Sequence, residues 1–291
     1  MKNYEAKVLS ATKYRLGESP FYDARSGNLS FVDIIAGNFY FFSEKDIPKV
    51  KDIQGVPFGQ QIGAAVPSDD NGYIVAGTDG LYKYKGKEIS KARTLTDVYE
   101  SYQRSNDAKA DPEGRLWFGS VSGDDDHEAS GNLYRLDHSG IKIMEHNTKI
   151  SNGMAWNAEK NRFFFSDSPF KAVFAYDYNN ETGDISGRKI LFEIEDGVPD
   201  GMCIDSEDNL WLAVWGGSRI EKRSSITGEL LAVVNVPAKN TTSCCFYGKD
   251  LDRLFITSSG EGLTGEYDGS IFTCKVDEKG CLPDLVKFQQ V

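Results

Sequence analysis

The chain has 291 residues, 40% of them hydrophobic, and 44 acidic against 33 basic residues, for a formal net charge of −11. That is ample apolar content for one domain spanning 1–291, and no Lys/Arg-rich stripe is present to bind nucleic acid. No run reaches the roughly 18 apolar residues of a membrane-spanning helix, so no membrane association is expected.

No apolar leader follows Met1-Lys2-Asn3-Tyr4-Glu5. The five cysteines are an odd number, and no Cys-x-x-Cys occurs. Both features predict a cytoplasmic protein whose thiols are reduced and packed as small hydrophobes.

Six similar units then follow one another. Each opens on a front residue, runs through three or four small or apolar residues, and reaches a turn-forming residue five places on. Front and turn residues are Glu18/Asp23, Ile62/Pro67, Asn106/Asp111, Asn152/Asn157, Asp200/Asp205 and Thr242/Tyr247. The steps between front residues are 44, 44, 46, 48 and 42, a period shared by propeller blades and helical arrays. A β-rich strand follows each opening stretch, at 27–32, 72–75, 114–118, 161–165, 209–212 and 252–257. Gly, Asn or Asp stands in front of these strands, where a tight hairpin calls for positive φ. A third strand recurs at 38–41, 80–84, 131–136, 172–176, 218–221 and 269–273, and a more polar fourth closes most units, as at 141–145, 190–194 and 230–236. Alternation and short aromatic or β-branched runs dominate, and helical periodicity is nearly absent. The fold class is therefore all-β, a six-bladed β-propeller. Its last blade needs a strand from one chain end, either 6–10 or 284–289.

In such a disc the first strand of each blade lines the central channel. The front residues Glu18, Ile62, Asn106, Asn152, Asp200 and Thr242 then form a ring at one mouth. The residues just behind them, from Ser19-Pro20 and Asp107-Ala108 to Gly153-Met154 and Gly201-Met202, read as small or apolar, so polarity is expected at one level only. Two carboxylates and two carboxamides near one axis repel or waste hydrogen bonds unless a positive group sits between them, and a divalent cation is the simple answer. The all-oxygen donor set favours calcium, magnesium or manganese, whereas zinc usually takes His or Cys. His127, His138 and His146 lie in loops or outer strands with no companion ligands. Asp23, Asp111, Asn157 and Asp205 read as turn formers that bind backbone groups. No nucleophile elbow, Walker loop, dinucleotide fingerprint, His-Glu-x-x-His or EF-hand loop occurs. Arg104, two residues before a front position, is placed to clamp a polar substrate. The acidic run 124–128 falls in a loop between the second and third strands of the third blade, at one face of the disc.

Gly17-Glu18-Ser19-Pro20, Asn106-Asp107 with Asp111-Pro112, Ser151-Asn152-Gly153-Met154, Pro199-Asp200-Gly201-Met202 and Thr241-Thr242-Ser243-Cys244 together resemble the regucalcin family, also called the senescence marker protein, gluconolactonase and luciferin-regenerating enzyme family. The resemblance runs in order over essentially the whole chain. It implies a six-bladed propeller with one catalytic divalent cation held by Glu18, Asn152 and Asp200. Arg104 and Asn106 match residues that hold the hydroxyls of a sugar lactone, and Asp124 is the nearest match to a further substrate contact. The expected function is a metal-dependent lactonase that opens sugar lactones, with Asp200 as general base. Calcium is the first choice of cofactor, with magnesium, manganese or zinc as alternatives. The expected assembly is a monomer or weak dimer. A calcium-binding regulator without enzymatic activity, or an esterase or organophosphatase on the same scaffold, are the rival readings.

Overall fold

The computed structural model describes residues 1–49, 53–123, 127–128, 130–287, 289 and 291. Six antiparallel sheets succeed one another along the chain, and five of them begin at an inner strand and step outward in chain order. The sixth begins at Asn240–Tyr247 and is completed from the N-terminus. The inner strands are Gly17–Asp23, Ile62–Pro67, Gln103–Ala110, Ser151–Trp156, Val198–Ile204 and Asn240–Tyr247. Each packs on the next, and the last packs on the first, so the ring closes. This is the six-bladed propeller that the forty-residue period predicts. Among the described residues no helix is long and apolar enough to cross a membrane.

Six hydrophobic clusters hold the disc together, one at each junction between neighbouring blades. The third and fourth blades, for example, meet through Trp117, Leu133, Met154, Phe163 and Phe165, all essentially fully buried. A buried side chain of this size contributes about 1.5–3 kcal/mol. The aromatic strand residues are therefore the glue between blades.

The turn residues also tie strands together through their side chains. Asp111 accepts the backbone N–H groups of Glu113 and Arg115, and also Trp117 Nε1–H and Tyr178 O–H. Asp205 repeats the pattern with Glu207, Asn209 and Trp211 Nε1–H. The five cysteines are free, with Cys244, Cys245 and Cys274 buried.

The N-terminal segment closes the ring. Lys7–Ser10 pairs antiparallel with Ile271–Lys275 as the fourth strand of the sixth blade. Lys2–Glu5 adds a parallel fifth strand to the fifth blade, along Leu230–Asn235. The C-terminal segment runs instead across the opposite side of the inner strands. Gly280 bridges Asp205, Val286 bridges Ser68, and Lys287 N–H donates to Gly114 O.

Each of the six inner strands carries a register irregularity against its neighbour, and every one spans the front position or its immediate neighbour. The irregularities lie between Glu18/Phe21, Ile62/Ala64, Ser105/Ala108, Ser151/Met154, Pro199/Met202 and Thr241/Ser243. A bulge takes a residue out of the ladder and re-aims its side chain. Here it coincides with the turning of Glu18, Asn106, Asn152 and Asp200 toward the channel.

Candidate functional site

Glu18, Arg104, Asn106, Asn152 and Asp200 line one cavity of about 310 Å³ at a mouth of the channel. They come from four inner strands. Two of the six front residues stay out of it. Ile62 is fully buried in the junction between the first two blades, and Thr242 turns its Oγ1 onto Gly17 O and Thr257. Asp124 lies outside the described residues.

Polar groups on one wall form a single directed chain. Arg104 Nη1 donates to Asn106 Oδ1 (2.9 Å) and to Ser105 O (2.9 Å). Asn106 Nδ2 donates to Ser151 O (2.9 Å) and to Asn152 Oδ1 (2.7 Å). Asn152 Nδ2 donates to Ser168 Oγ (2.7 Å), and Ser168 Oγ–H donates to Pro199 O (2.7 Å), the carbonyl just before Asp200. The two carboxylates complete the ring. Ser19 sits at φ 50, so its backbone N–H folds back onto Glu18 Oε2 (2.9 Å).

Glu18 and Asp200 are both buried, and their carboxyls lie close enough to act on each other's charge. Burial, with Asp107 close by, pushes Glu18 up to about 8. Burial, the Glu18 carboxylate and Asp107 push Asp200 well above the usual carboxylate range. Burial also lowers Arg104 to about 10, against the pull of Glu18. Burial and mutual repulsion thus disfavour charging both carboxyls together.

This is a donor set that fits a divalent cation. Two buried carboxylates that repel each other when both are charged can be neutralised by a metal ion, and Asn152 adds a neutral amide oxygen. Among the described residues no three His, Cys, Asp or Glu side chains cluster at metal-binding spacing. The third donor available here is the amide. All three are hard oxygen ligands, as calcium, magnesium and manganese prefer.

Polarity is not confined to one level, contrary to the sequence expectation. Asp107 is buried beside Glu18 and Asp200. Deeper still, Lys109 Nζ donates to Met154 O (2.9 Å) and to Met202 O. The strand pattern concealed this, because Asp107 lies within, and Lys109 just past, a bulge that shifts which residues face the axis.

Sequence reasoning also missed Ser168, Ile34 and Trp215, which line the same cavity. Each sits at or just past the end of a second strand. Register pairs Gly17 with Asp33, Ser151 with Asp167, and Val198 with Trp215. The end of a second strand thus lies opposite the start of its inner strand, and hairpin register would have located all three. Together with Leu16, Ile150 and Val198, Ile34 and Trp215 make the rest of the wall apolar.

A profile of the family described as SMP-30/Gluconolactonase/LRE-like region matches residues 16–260. The chain is 32% identical to a Bacillus subtilis protein, YvrE, to which a sugar lactone lactonase activity is ascribed, over 96% of this chain and 97% of that one. It is 33% identical to the regucalcin of Danio rerio, over 97% of this chain and 94% of that one. A solved structure of a luciferin-regenerating enzyme superimposes with a TM-score of 0.86 at 30% identity, covering 95% of this chain and 96% of the other. With the family profile spanning all six inner strands, the chain belongs to the SMP-30/gluconolactonase/LRE-like family.

Proposed function

We propose that the protein is a lactonase that opens sugar lactones with the help of one divalent cation, calcium first and magnesium, manganese or zinc after it. The cation is held by Glu18, Asn152 and Asp200. One observation carries this reading. A buried carboxyl pair and an amide oxygen face the same small cavity as an Arg104–Asn106 wall suited to hydroxyl groups. The lactonase activity ascribed to the Bacillus subtilis relative supports the substrate class. A site that only stored calcium would have no use for the Arg104–Asn106 wall, which weighs against the regulatory reading.

When bound, the cation supplies Lewis acidity to the lactone carbonyl. Asp200 accepts a proton from the attacking water and returns it to the ring oxygen as the acyl C–O bond breaks, giving the open hydroxy acid. Among the described residues, Arg104 commits only Nη1 to protein partners. The rest of its planar fork is left for substrate hydroxyls. Asn106 is locked by both of its amide atoms, so it orients rather than adapts. Ile34 and Trp215 offer an apolar face to the ring carbons and exclude water from one side. We assign the protein to the cytoplasm, in keeping with its free thiols, and to a monomer or weak dimer.

The test is hydrolysis, followed by acid release, of D-glucono-δ-lactone and five-carbon aldono-lactones. Chelator-stripped protein is assayed with calcium, magnesium, manganese and zinc restored one at a time. Metal-dependent turnover that disappears in Asp200→Ala is the expected result. Tight cation binding without hydrolysis of any lactone would overturn the lactonase assignment.

A further inference from the structure

Ser168 is absent from every motif that points to the site, yet it touches two of the three candidate ligand strands. It follows the second strand of the fourth blade, Arg162–Asp167, at the start of the one-turn 3-10 helix Ser168–Phe170. Its side chain is buried and lines the cavity.

The hydrogen-bond chain through Ser168 has fixed ends. Arg104 is a donor only, and the backbone oxygens of Ser151 and Pro199 are acceptors only. Asn106 must therefore turn its oxygen to Arg104 and its nitrogen to Ser151 O. Its nitrogen then meets an oxygen of Asn152, as observed. At the other end, the single hydroxyl proton of Ser168 goes to Pro199 O. Ser168 can then only accept from Asn152, so it must face the amide nitrogen. The two ends agree. Asn152 is held with Nδ2 toward Ser168 and Oδ1 toward Asn106 and the cavity.

We infer that Ser168 is a positioning residue that fixes the amide of Asn152 so that oxygen, not N–H, is presented to a cation. The inference rests on the proposed metal site and adds a residue to it. A flipped amide would point an N–H donor at the ion and set its NH2 against that of Asn106, turning a ligand into a repulsive dipole. Outer partners of metal ligands typically govern about 10–100-fold in metal affinity.

The experiment is calorimetric titration of calcium and manganese into chelator-stripped protein, with no substrate present. Wild type, Ser168→Ala, Asn152→Asp and the double variant are compared, and each is checked for an intact thermal transition. Cation binding by the wild type tests the metal site itself, and failure there overturns both readings. With that binding in hand, Ser168→Ala should weaken it about 10-fold or more. A carboxylate has two equivalent oxygens and cannot be flipped wrongly, so the same serine change should cost less than about threefold in the Asn152→Asp background. An equal loss in both backgrounds would make Ser168 a merely structural support of the Pro199–Asp200 strand and overturn the inference. So would wild-type affinity in Ser168→Ala. Should Asn152→Asp fail to fold, Ser168→Thr replaces it. Retention of the hydroxyl should then restore affinity to within about threefold of wild type, and failure to do so counts against the orienting role.

Discussion

Lys109 crosses the channel behind the site and holds three blades at once. It belongs to the inner strand of the third blade, and its ammonium donates to Met154 O in the fourth and Met202 O in the fifth. Those carbonyls lie two residues beyond Asn152 and Asp200. The lysine thus sets the separation of the two strands that carry Asn152 and Asp200, and it also lowers the burden on the buried carboxyl of Asp107. Lys109→Met keeps the aliphatic stem and removes only the ammonium. A hydrogen bond from a charged group is worth about 1.5–3 kcal/mol, so two of them put the loss at about 3–6 kcal/mol. That is a large part of a typical folding stability of about 5–15 kcal/mol. Urea denaturation in the presence of chelator measures it without any contribution from a bound ion. A midpoint shift worth less than about 1 kcal/mol would refute the clamp, since the two carbonyls would then have found other partners at no cost.

Three further outcomes are expected. Glu18 is raised to about 8 in the folded, cation-free protein. A raised carboxyl binds its proton more tightly when folded, so its contribution is complete below the unfolded value and is lost as pH rises through about 8. The melting temperature of chelator-treated protein should therefore fall between pH 5 and 8, and a saturating cation should cancel the fall; a rise over that window would contradict the buried-pair description. Arg104→Lys keeps the charge but loses the planar fork, and should raise KM for the lactone about 10-fold or more while leaving cation affinity near wild type. An unchanged KM would remove Arg104 from substrate binding. Deletion of residues 1–10 removes the closing strand of the sixth blade and the fifth strand of the fifth, and should lower the melting temperature by more than about 5 °C. A transition at the wild-type temperature would show that the ring closes without it.

The fold was legible because a blade repeats its chemistry. Trp117 and Trp211 occupy equivalent second-strand positions, and each gives its Nε1–H to the turn carboxylate of its own blade, Asp111 or Asp205. The two pairs stand 94 residues apart, two blade lengths, and the turn carboxylates and strand aromatics around them can be counted along the sequence. The choice of closing strand was not legible. Residues 6–10 and 284–289 are both short and mixed in polarity, and pairing with Ile271–Lys275 is decided by where the ends lie in space. Glu18, Asn106, Asn152 and Asp200 were legible as a set because they sit at one repeat position. Ser168 and Trp215 were not, since they reach the cavity through hairpin register, which depends on the partner strand. Asp107 and Lys109 were misread as part of an apolar stretch.

That misreading has one physical source, and the same source builds the site. A regular strand alternates its side chains, so front residues at a common position would carry their successors to the opposite face. The bulge at each front position breaks the alternation and lets more than one residue from a strand approach the axis. Close packing of the inner strands is then required, and it limits what can follow the front residue. A Cβ on Gly153 would meet Asp200 O at 2.7 Å, and one on Gly201 would meet Ser243 Oγ at 2.1 Å. Asn152-Gly153 and Asp200-Gly201 are therefore two halves of one device. The first residue offers the oxygen of the proposed site, and the second lets the neighbouring strand come near enough for oxygens from different blades to face one cavity. In the first blade Ser19 does the same work by another route. It accepts φ 50 and spends its N–H on Glu18. Its hydroxyl meanwhile accepts Ala65 N–H of the second blade (3.4 Å), so this residue too ties its strand to the neighbouring one.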